Sequence, residues 1–191
     1  MSSEIPAGWS RQKINDAAHN VTRKYQLSPG YNPRYIGLEH LKPDTKSVME
    51  WGFAQQITSS KTQFQKGDTL FGKLRPYLKK VALAEFDGIC STDILAIRPR
   101  KGVHAGFLYR VLSTDETIAA ATGSSVGNVM PRTSWGSLGE VDFLEPPYPE
   151  QQKIATILSS VDEVIEKSRA QIDKLKDLKT GMMQELLTQG I

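Results

Sequence analysis

Residues 149–187 read PEQQKIATILSSVDEVIEKSRAQIDKLKDLKTGMMQELL and contain the strongest structural pattern of this chain. Its apolar residues recur in alternating steps of four and three, with Ser168 and Lys179 in the two remaining slots. The repeat consists of Ile154, Leu158, Val161, Ile165, Ile172, Leu175, Met182 and Leu186. It predicts one long helix with a coiled-coil seam over about four to five heptads. A single helix cannot bury such a seam, so we expect a partner helix from another copy or another protein.

Residue types that start or stop helices mark the beginning of this helix. Pro147 interrupts the preceding segment, whereas Pro149 suits the first helical turn, where no backbone N–H is needed. We therefore divide the chain into a globular domain, 1–148, and a long helix, 149–191. The alternative is a helix that packs on its own domain, but the sequence upstream contains no second long amphipathic pattern.

The composition excludes several classes of protein. The chain has 191 residues, of which 39% are hydrophobic and 24% charged, as in ordinary soluble proteins with one good core. It has no run of about 18 apolar residues and no basic leader with an apolar segment, so we expect neither a membrane span nor secretion. Cys90 is the only cysteine, which excludes an internal disulfide and favours the reducing cytoplasm.

The first 148 residues predict a β-rich α+β domain. Runs of branched and aromatic residues predict strands at 35–38, 69–71, 81–86, 94–98 and 141–144. Turn residues separate them at Ser28-Pro29-Gly30, 65–68, Asp87-Gly88 and 98–100. Short helices are predicted near 105–112 and at 115–121, the second capped by Ser113 or Thr114. The predicted strands and helices do not alternate along the chain, so the sequence does not favour a doubly wound sheet.

A basic surface is predicted within residues 61–101, which hold nine basic and four acidic residues. The segment 67–80, GDTLFGKLRPYLKK, interleaves cations with aromatic residues, and Pro76 restricts its loop. Lysine and arginine contact phosphates, and arginine also reads base edges. The segment therefore indicates nucleic-acid binding, although a solvated basic turn explains the same residues equally well.

A second candidate loop spans residues 121–135, ATGSSVGNVMPRTSW. Gly123 and Gly127 allow the backbone to approach a ligand closely. The loop offers several side chains able to hydrogen-bond to DNA. It does not match the phosphate-binding GxxxxGK[ST] pattern, because Asn128 and Val129 follow the second glycine. A flexible surface loop is the alternative.

Catalytic patterns are weak throughout the sequence. Residues 145–148, EPPY, resemble the [DN]PP[YF] signature of amino-methyltransferases, but the longer Glu145 would misplace the acceptor, and no glycine-rich strand–loop–helix unit accompanies it. His19, His40 and His104 lack metal-ligand spacing. No nucleophile-elbow GxSxG is present. We therefore expect neither catalysis nor a metal site in this chain.

Several motifs taken together resemble one known family. They are PAGW (6–9), GKLRPY (72–77), PRTSW (131–135), EQQKIA (150–155), ILSSVDE (157–163) and KLKDLKTGMMQ (174–184). Over nearly its whole length the chain resembles the specificity subunits of type I restriction–modification enzymes. Members of that family usually carry two target recognition domains and two long helices, whereas this chain has one of each. It looks like a half-subunit, whether natural, truncated or engineered.

The resemblance implies that the domain is a target recognition domain, which reads half of a split double-stranded DNA site in the major groove. The long helix would pair antiparallel with a second one and set the distance between two recognition domains. Modification (methyltransferase) subunits would methylate adenine N6 with S-adenosylmethionine, and restriction subunits can join them for ATP-driven cleavage. S-adenosylmethionine, ATP and Mg are thus expected only in these partners, with no cofactor in this non-catalytic chain.

The residues assigned to DNA binding come from the two candidate loops. They are Lys73, Arg75, Tyr77, Lys79, Lys80, Ser124, Asn128, Arg132 and Ser134. Dimerisation is assigned to the apolar repeat between Ile154 and Leu186, with two-fold symmetry and an inverted-repeat target.

Two rival functions remain open at this point. One is a coiled-coil adaptor whose head binds protein, and it predicts no salt-dependent affinity for DNA. The other is a small stand-alone enzyme, and it predicts turnover without partner subunits.

Overall fold

The apolar repeat lies in one continuous helix, α5, which runs from Tyr148 to Gln189, as the sequence predicts. The computed structural model describes residues 5–26, 32–43, 45, 46, 48, 50–53 and 60–190. The chain divides into two compact units, Met1–Ala155 and Thr156–Ile191. The first two turns of α5 therefore belong to the same unit as the β-rich domain.

The described residues form ten strands and five α-helices. The strands are β1 (Ser10–Lys13), β2 (Ala18–Asn20), β3 (Arg34–Ile36), β4 (Gly52–Phe53), β5 (Thr62–Phe64), β6 (Thr69–Gly72), β7 (Val81–Leu83), β8 (Gly88–Cys90), β9 (Ile94–Pro99) and β10 (Asp142–Glu145). The other helices are α1 (Ile14–Ala17), α2 (Ala105–Leu112), α3 (Asp115–Gly123) and α4 (Trp135–Gly139). Two 3₁₀ turns lie at Leu38–His40 and Pro76–Leu78.

The described strands make three sheets. One has the order β2-β9-β6-β7 and is antiparallel throughout, and another has the order β4-β3-β8-β5. In the second sheet β3 pairs with β8 in parallel, whereas its other pairings are antiparallel. The third sheet pairs β1 with β10, from opposite ends of the domain sequence. This mixture of sheets and helices confirms the predicted α+β class.

The sheet β2-β9-β6-β7 is buried on both faces. Along β9, Leu95 and Ile97 face one apolar cluster, whereas Ile94 and Ala96 face another, as the two-residue period of a strand requires. Helices α2 and α3 supply the first cluster through residues such as Leu108. Residues of β3, β5 and β8 supply the second. Burial on both faces explains why β9 reads as an uninterrupted apolar run.

Several predicted elements agree with the structure. The five predicted strands correspond to β3, β6, β7, β9 and β10, with ends that agree or differ by up to three residues. Both predicted short helices are present as α2 and α3. Thr114 is the N-cap of α3, because its Oγ1 accepts a hydrogen bond from the Thr117 N–H at 3.3 Å. The turn predicted at Ser28-Pro29-Gly30 lies outside the described residues.

Other predictions about the domain were wrong or incomplete. Asp87-Gly88 was predicted as a turn, but Gly88 opens strand β8. A Cβ on Gly88 would lie 2.7 Å from both the Arg34 carbonyl oxygen and the Phe64 ring, so glycine is required for close packing between strands. Strands β1, β2, β4 and β5 and helices α1 and α4 were not predicted.

Candidate nucleic-acid interface

The two loops predicted separately from the sequence lie side by side. The segment after β6 continues in an extended conformation, and Leu74 forms an isolated antiparallel bridge with Arg132. Beside this bridge, the Arg75 N–H donates to the Pro131 carbonyl at 2.8 Å, and the Thr133 N–H donates to the Lys73 carbonyl at 3.1 Å. These backbone hydrogen bonds join the two loops into one surface, which we call the joined-loop surface (residues 73–80 and 124–134).

The second loop folds back on itself as a tight hairpin. Val126 and Arg132 exchange two backbone hydrogen bonds, each 3.0 Å long. Gly127 has a φ of +110°, and a Cβ there would lie 3.1 Å from the Met130 carbonyl oxygen. The left-handed conformation and the close approach both favour glycine, so Gly127 allows the chain to reverse within residues 127–131.

The first loop contains two non-glycine residues in the left-handed region. Arg75 (φ 51°) and Lys79 (φ 50°) flank the 3₁₀ turn Pro76–Leu78. Each such residue costs about 1–3 kcal/mol, and strain of this kind tends to occur at functional sites. The turn buries Pro76 and leaves Tyr77 51% exposed.

Five of the nine residues assigned to DNA binding are tied to other parts of the domain. The Lys79 ammonium lies 2.6 Å from an Asp115 carboxylate oxygen, and the Lys80 ammonium donates to the Leu38 carbonyl at 2.6 Å. The Ser124 hydroxyl donates to the Ala121 carbonyl at 3.3 Å. The Ser134 hydroxyl caps α4 by accepting from the Ser137 N–H at 3.1 Å.

Arg132, the fifth tethered residue, has an exposed side chain that forms an ion pair with a carboxylate. Its Nε and Nη2 donate to the two carboxylate oxygens of Asp93 at 2.9 and 3.5 Å. The hydrogen bond to Asp93, together with the negative charge, raises the pKa of the Arg132 guanidinium above its ordinary value. Arg132 is therefore held in place on the joined-loop surface as a permanent cation.

The other four residues differ in their exposure. Arg75, Tyr77 and Asn128 are exposed, whereas Lys73 is half-buried. Arg75 Nη2 also lies 3.5 Å from the Val129 carbonyl oxygen, so its guanidinium reaches across to the hairpin. The joined-loop surface thus presents cationic, amide and phenol groups together.

Sequence reasoning missed the apolar residues of the hairpin. Val126 and Val129 are 81% and 80% exposed, and Met130 is 48% exposed. Their spacing of three and one residues is that of one helical turn, but Gly127 and Pro131 interrupt so short a segment, so the pattern does not predict a helix with a core face. The available signal that these side chains face outward was the glycine and proline among them, which mark a loop.

The start of α5 is anchored to the domain by a buried glutamine. Gln151 is 1% exposed, and its Oε1 accepts from the His104 N–H at 2.8 Å. Its Nε2 donates to the Pro146 carbonyl at 3.0 Å and lies 3.3 Å from Glu145 Oε1. In addition, the Trp9 indole donates to Glu150 at 2.9 Å. The EPPY segment therefore contributes structural acceptors to this anchor.

Beyond the anchor, the apolar residues of α5 are exposed. In the described part of the unit Thr156–Ile191, residues 156–190, the large apolar side chains are between 38% and 81% exposed. The seven residues of the predicted seam from Leu158 to Leu186 are among them, whereas Ile154 packs against the larger core cluster of the domain. A second exposed row, Ile157, Val164 and Leu178, lies beside the seam at heptad spacing.

No other chemistry is evident in the described part of the chain. Residues 5–26, 32–43, 45, 46, 48, 50–53 and 60–190 contain no group of three or more His, Cys, Asp or Glu side chains placed to hold a metal ion. Among these same residues, no helix combines the length and the apolar character that a membrane crossing requires.

Comparison with known proteins first defines the class. A specificity (HsdS) subunit from Thermoanaerobacter tengcongensis shares the fold with a TM-score of 0.72 and 21% identity, over 97% of this chain and 50% of that one. A chain from a structure of the complex assembly and conformational transition of a type I R-M system gives a TM-score of 0.73 at 20% identity, with the same coverage. The fold is thus that of type I specificity subunits.

Sequence comparison identifies the family. The model of the type I restriction modification DNA specificity domain matches residues 17–177, so the chain belongs to this family. The specificity subunit of the type I restriction enzyme EcoDI from Escherichia coli is 27% identical over 97% of this chain. The MjaIX specificity subunit from Methanocaldococcus jannaschii is 31% identical over 60% of it. The chain spans 42% and 26% of these two relatives.

Proposed function

We propose that this chain is the DNA-specificity component of a type I restriction–modification complex and that its domain reads one half of a bipartite DNA site. The observation that carries the proposal is the bridge between Leu74 and Arg132. It joins two loops that the sequence had separately marked for nucleic-acid binding. Membership of the DNA specificity domain family supports the same function.

The side chains of the joined-loop surface suit different tasks. Arg75 can donate two hydrogen bonds to guanine, and Asn128 can pair in the same way with adenine. Arg132 can bind guanine as Arg75 does when it exchanges its bonds to Asp93 for the base. Lys79 and Lys80 each carry a point charge without the planar, paired donors of a guanidinium, so they are better suited to supply positive charge to the DNA backbone. We assign base recognition to the first three residues and phosphate attraction to the lysines.

We propose further that the seam of α5 pairs with the same helix of a second copy. The exposed residues from Leu158 to Leu186 support this, because water-exposed apolar rows at heptad spacing are stabilised by knobs-into-holes packing. A two-fold dimer would hold two identical heads apart and read an inverted repeat with a spacer. Pairing with the helix of a different half-subunit is the alternative outcome.

The second apolar row supports a further partner. A two-helix coiled coil buries mainly its two seam rows, so Ile157, Val164 and Leu178 would stay exposed beside a paired seam. We assign this row to the docking of modification subunits, which would methylate adenine. S-adenosylmethionine, ATP and Mg then belong to partner subunits, this chain is non-catalytic, and the complex works in the cytoplasm.

The test is to express the chain together with modification subunits and to map methylated adenines in the host DNA. We expect one motif with a fixed spacer. Replacing both Arg75 and Arg132 with Ala should abolish methylation at that motif, because each well-placed bidentate contact is worth about 1–3 kcal/mol. The matched control removes two exposed arginines outside the joined-loop surface and outside residues 61–101, Arg11→Ala with Arg23→Ala, and should leave the motif unchanged.

Two results would contradict the proposal. If the assembled complex showed no affinity for duplex DNA of the kind that weakens with salt, a protein-binding adaptor would be favoured, because phosphate-driven binding falls steeply with salt. Methylation of the same motif by the Arg75→Ala, Arg132→Ala variant would show that the joined-loop surface does not read DNA.

A further inference from the structure

The exposed apolar side chains of the domain are concentrated on the joined-loop surface. Between residues 5 and 155, the described part of the chain exposes nine large hydrophobic side chains, and five of them lie on this surface. These five are Tyr77, Leu78, Val126, Val129 and Met130. Single exposed apolar residues are common, but a group at one place marks a contact surface.

The hairpin backbone holds these side chains away from the core. The two hydrogen bonds between Val126 and Arg132 close the loop, and the left-handed Gly127 reverses it. Because of this geometry, Val126 and Val129 are about four-fifths exposed although the loop is tied to the first loop through Leu74. Exposure is thus imposed by the local fold.

The charges next to the hairpin indicate what covers it. Arg75 reaches the Val129 carbonyl at 3.5 Å, and Arg132 forms one side of the hairpin. Cations beside an apolar tip suit a ligand that is anionic outside and carries apolar groups inside. Duplex DNA fits this description, because the C5-methyl group of thymine is the apolar feature of the major groove.

We infer that Val126 and Val129 recognise thymine through its C5-methyl group, beside an adenine contacted by Asn128. The inference rests on the proposed function and adds a base identity to it. Asn128 lies between the two valines in sequence, and asparagine is suited to the N6 and N7 edge of adenine. One hairpin therefore supplies the amide for adenine and the methyl contacts for thymine. The half-site read by this loop should contain an A·T pair.

The experiment removes the methyl group from the DNA and the apolar group from the protein in turn. The assembled methyltransferase is titrated with duplexes of its mapped site, in which each thymine is replaced singly by deoxyuridine. The wild-type complex should bind about three- to tenfold more weakly when the single replacement falls at one or two particular thymines. In the variant Val126→Ser, Val129→Ser, thymine and deoxyuridine duplexes should bind equally within about twofold, because serine has no methyl group and presents a hydroxyl instead.

The control is Ile5→Ser, at an exposed apolar residue outside the joined-loop surface, which should keep the wild-type ratio of thymine to deoxyuridine binding. The inference is overturned if no thymine shows the penalty, or if the penalty persists in the valine variant. It is also overturned if the variant loses its modification subunits in size-exclusion chromatography, because the hairpin would then contact protein. Specific DNA binding without any thymine effect would leave the proposed function intact, whereas absence of specific binding would contradict both.

Discussion

Apolar side chains are buried in the domain but exposed along helix α5 beyond its first two turns. In the unit Met1–Ala155, Leu108, Leu112 and Leu138 are fully buried. In the unit Thr156–Ile191, Leu175 is 64% exposed, and every large apolar side chain of the described part is at least 38% exposed. Burying one such side chain contributes about 1.5–3 kcal/mol. The domain gains this energy within the chain, whereas the helix would gain it through the proposed association.

The largest expected effect breaks the association of the helix. Ile165→Asp together with Ile172→Asp should weaken self-association by roughly 100-fold or more, because each carboxylate would be buried in an apolar seam without a partner. Size-exclusion chromatography with light scattering should change from about twice the chain mass of 21.2 kDa to the chain mass itself.

A matched control places the same charges outside the apolar rows. Ala170→Asp with Thr180→Asp adds two carboxylates to exposed positions of the same helix and should leave the dimer intact. A wild-type chain that stays monomeric at tens of micromolar would refute the proposed homodimer and favour a different partner helix.

The second prediction compares one substitution in the two regions. Leu108→Ala should lower the free energy of unfolding by about 2–5 kcal/mol, because it leaves a cavity among fully buried neighbours. Leu175→Ala, at a concentration where the chain is monomeric, should change it by less than about 0.5 kcal/mol. Urea titrations over a range of protein concentrations measure both. A cost for Leu175→Ala that grows with concentration would reveal pairing of the seam, whereas a large cost in the monomer would contradict the contrast.

The helix could be predicted from the sequence because its pattern is local. A heptad repeat needs only neighbouring residues, and the same holds for α2 and for strands rich in branched residues. In contrast, β1 is entirely polar, and its partner β10 lies at the far end of the domain sequence. No pattern within a short stretch of sequence predicts that β1 pairs with β10.

The candidate site shows the same limit. Both loops could be chosen from their composition, but the bridge between Leu74 and Arg132 depends on the fold of the whole domain. Composition also favoured polar residues. In the structure the hydroxyl of Ser134, which composition favoured, caps helix α4. Val126 and Val129, which composition did not favour, are among the most exposed side chains.

The third prediction concerns the place where domain and helix are continuous. Gln151→Ala should lower the free energy of unfolding by about 1–3 kcal/mol, because the His104 N–H and the Pro146 carbonyl would lose a buried partner. Gln171→Ala makes the same change on the exposed part of α5 and should cost less than about 0.5 kcal/mol. Equal costs for the two variants would show that the anchor does not contribute to stability.

The fourth prediction separates stability from recognition on the joined-loop surface. Arg75→Gly should be more stable than Arg75→Ala by about 1 kcal/mol. Glycine adopts the left-handed conformation of this position without strain, whereas alanine is strained there in the same way as arginine. Both variants lose the guanidinium and should lose site-specific methylation to the same extent. Denaturant titrations alongside methylation mapping test this. An alanine variant as stable as the glycine variant would mean that the backbone at Arg75 is not strained.

The smallest expected effect concerns an ion pair on the surface of the domain. Glu140 accepts from the Lys13 ammonium at 2.6 Å and from the Asn15 amide at 2.9 Å, and these hydrogen bonds and the lysine charge hold the pKa of Glu140 below its ordinary value of 4.5. A carboxyl group whose pKa is lower in the folded state stabilises the protein above its unfolded pKa and loses that contribution as pH falls through its folded pKa. The stability difference between wild type and Glu140→Gln should therefore be constant above about pH 5.5 and shrink below about pH 4.5, as urea titrations at each pH would measure. A stability difference that stays constant down to pH 3 would show that the Lys13–Glu140 pair does not stabilise the fold. In a separate titration at neutral pH, 1 M salt should reduce the stability difference between wild type and Glu140→Gln, because both side chains are exposed.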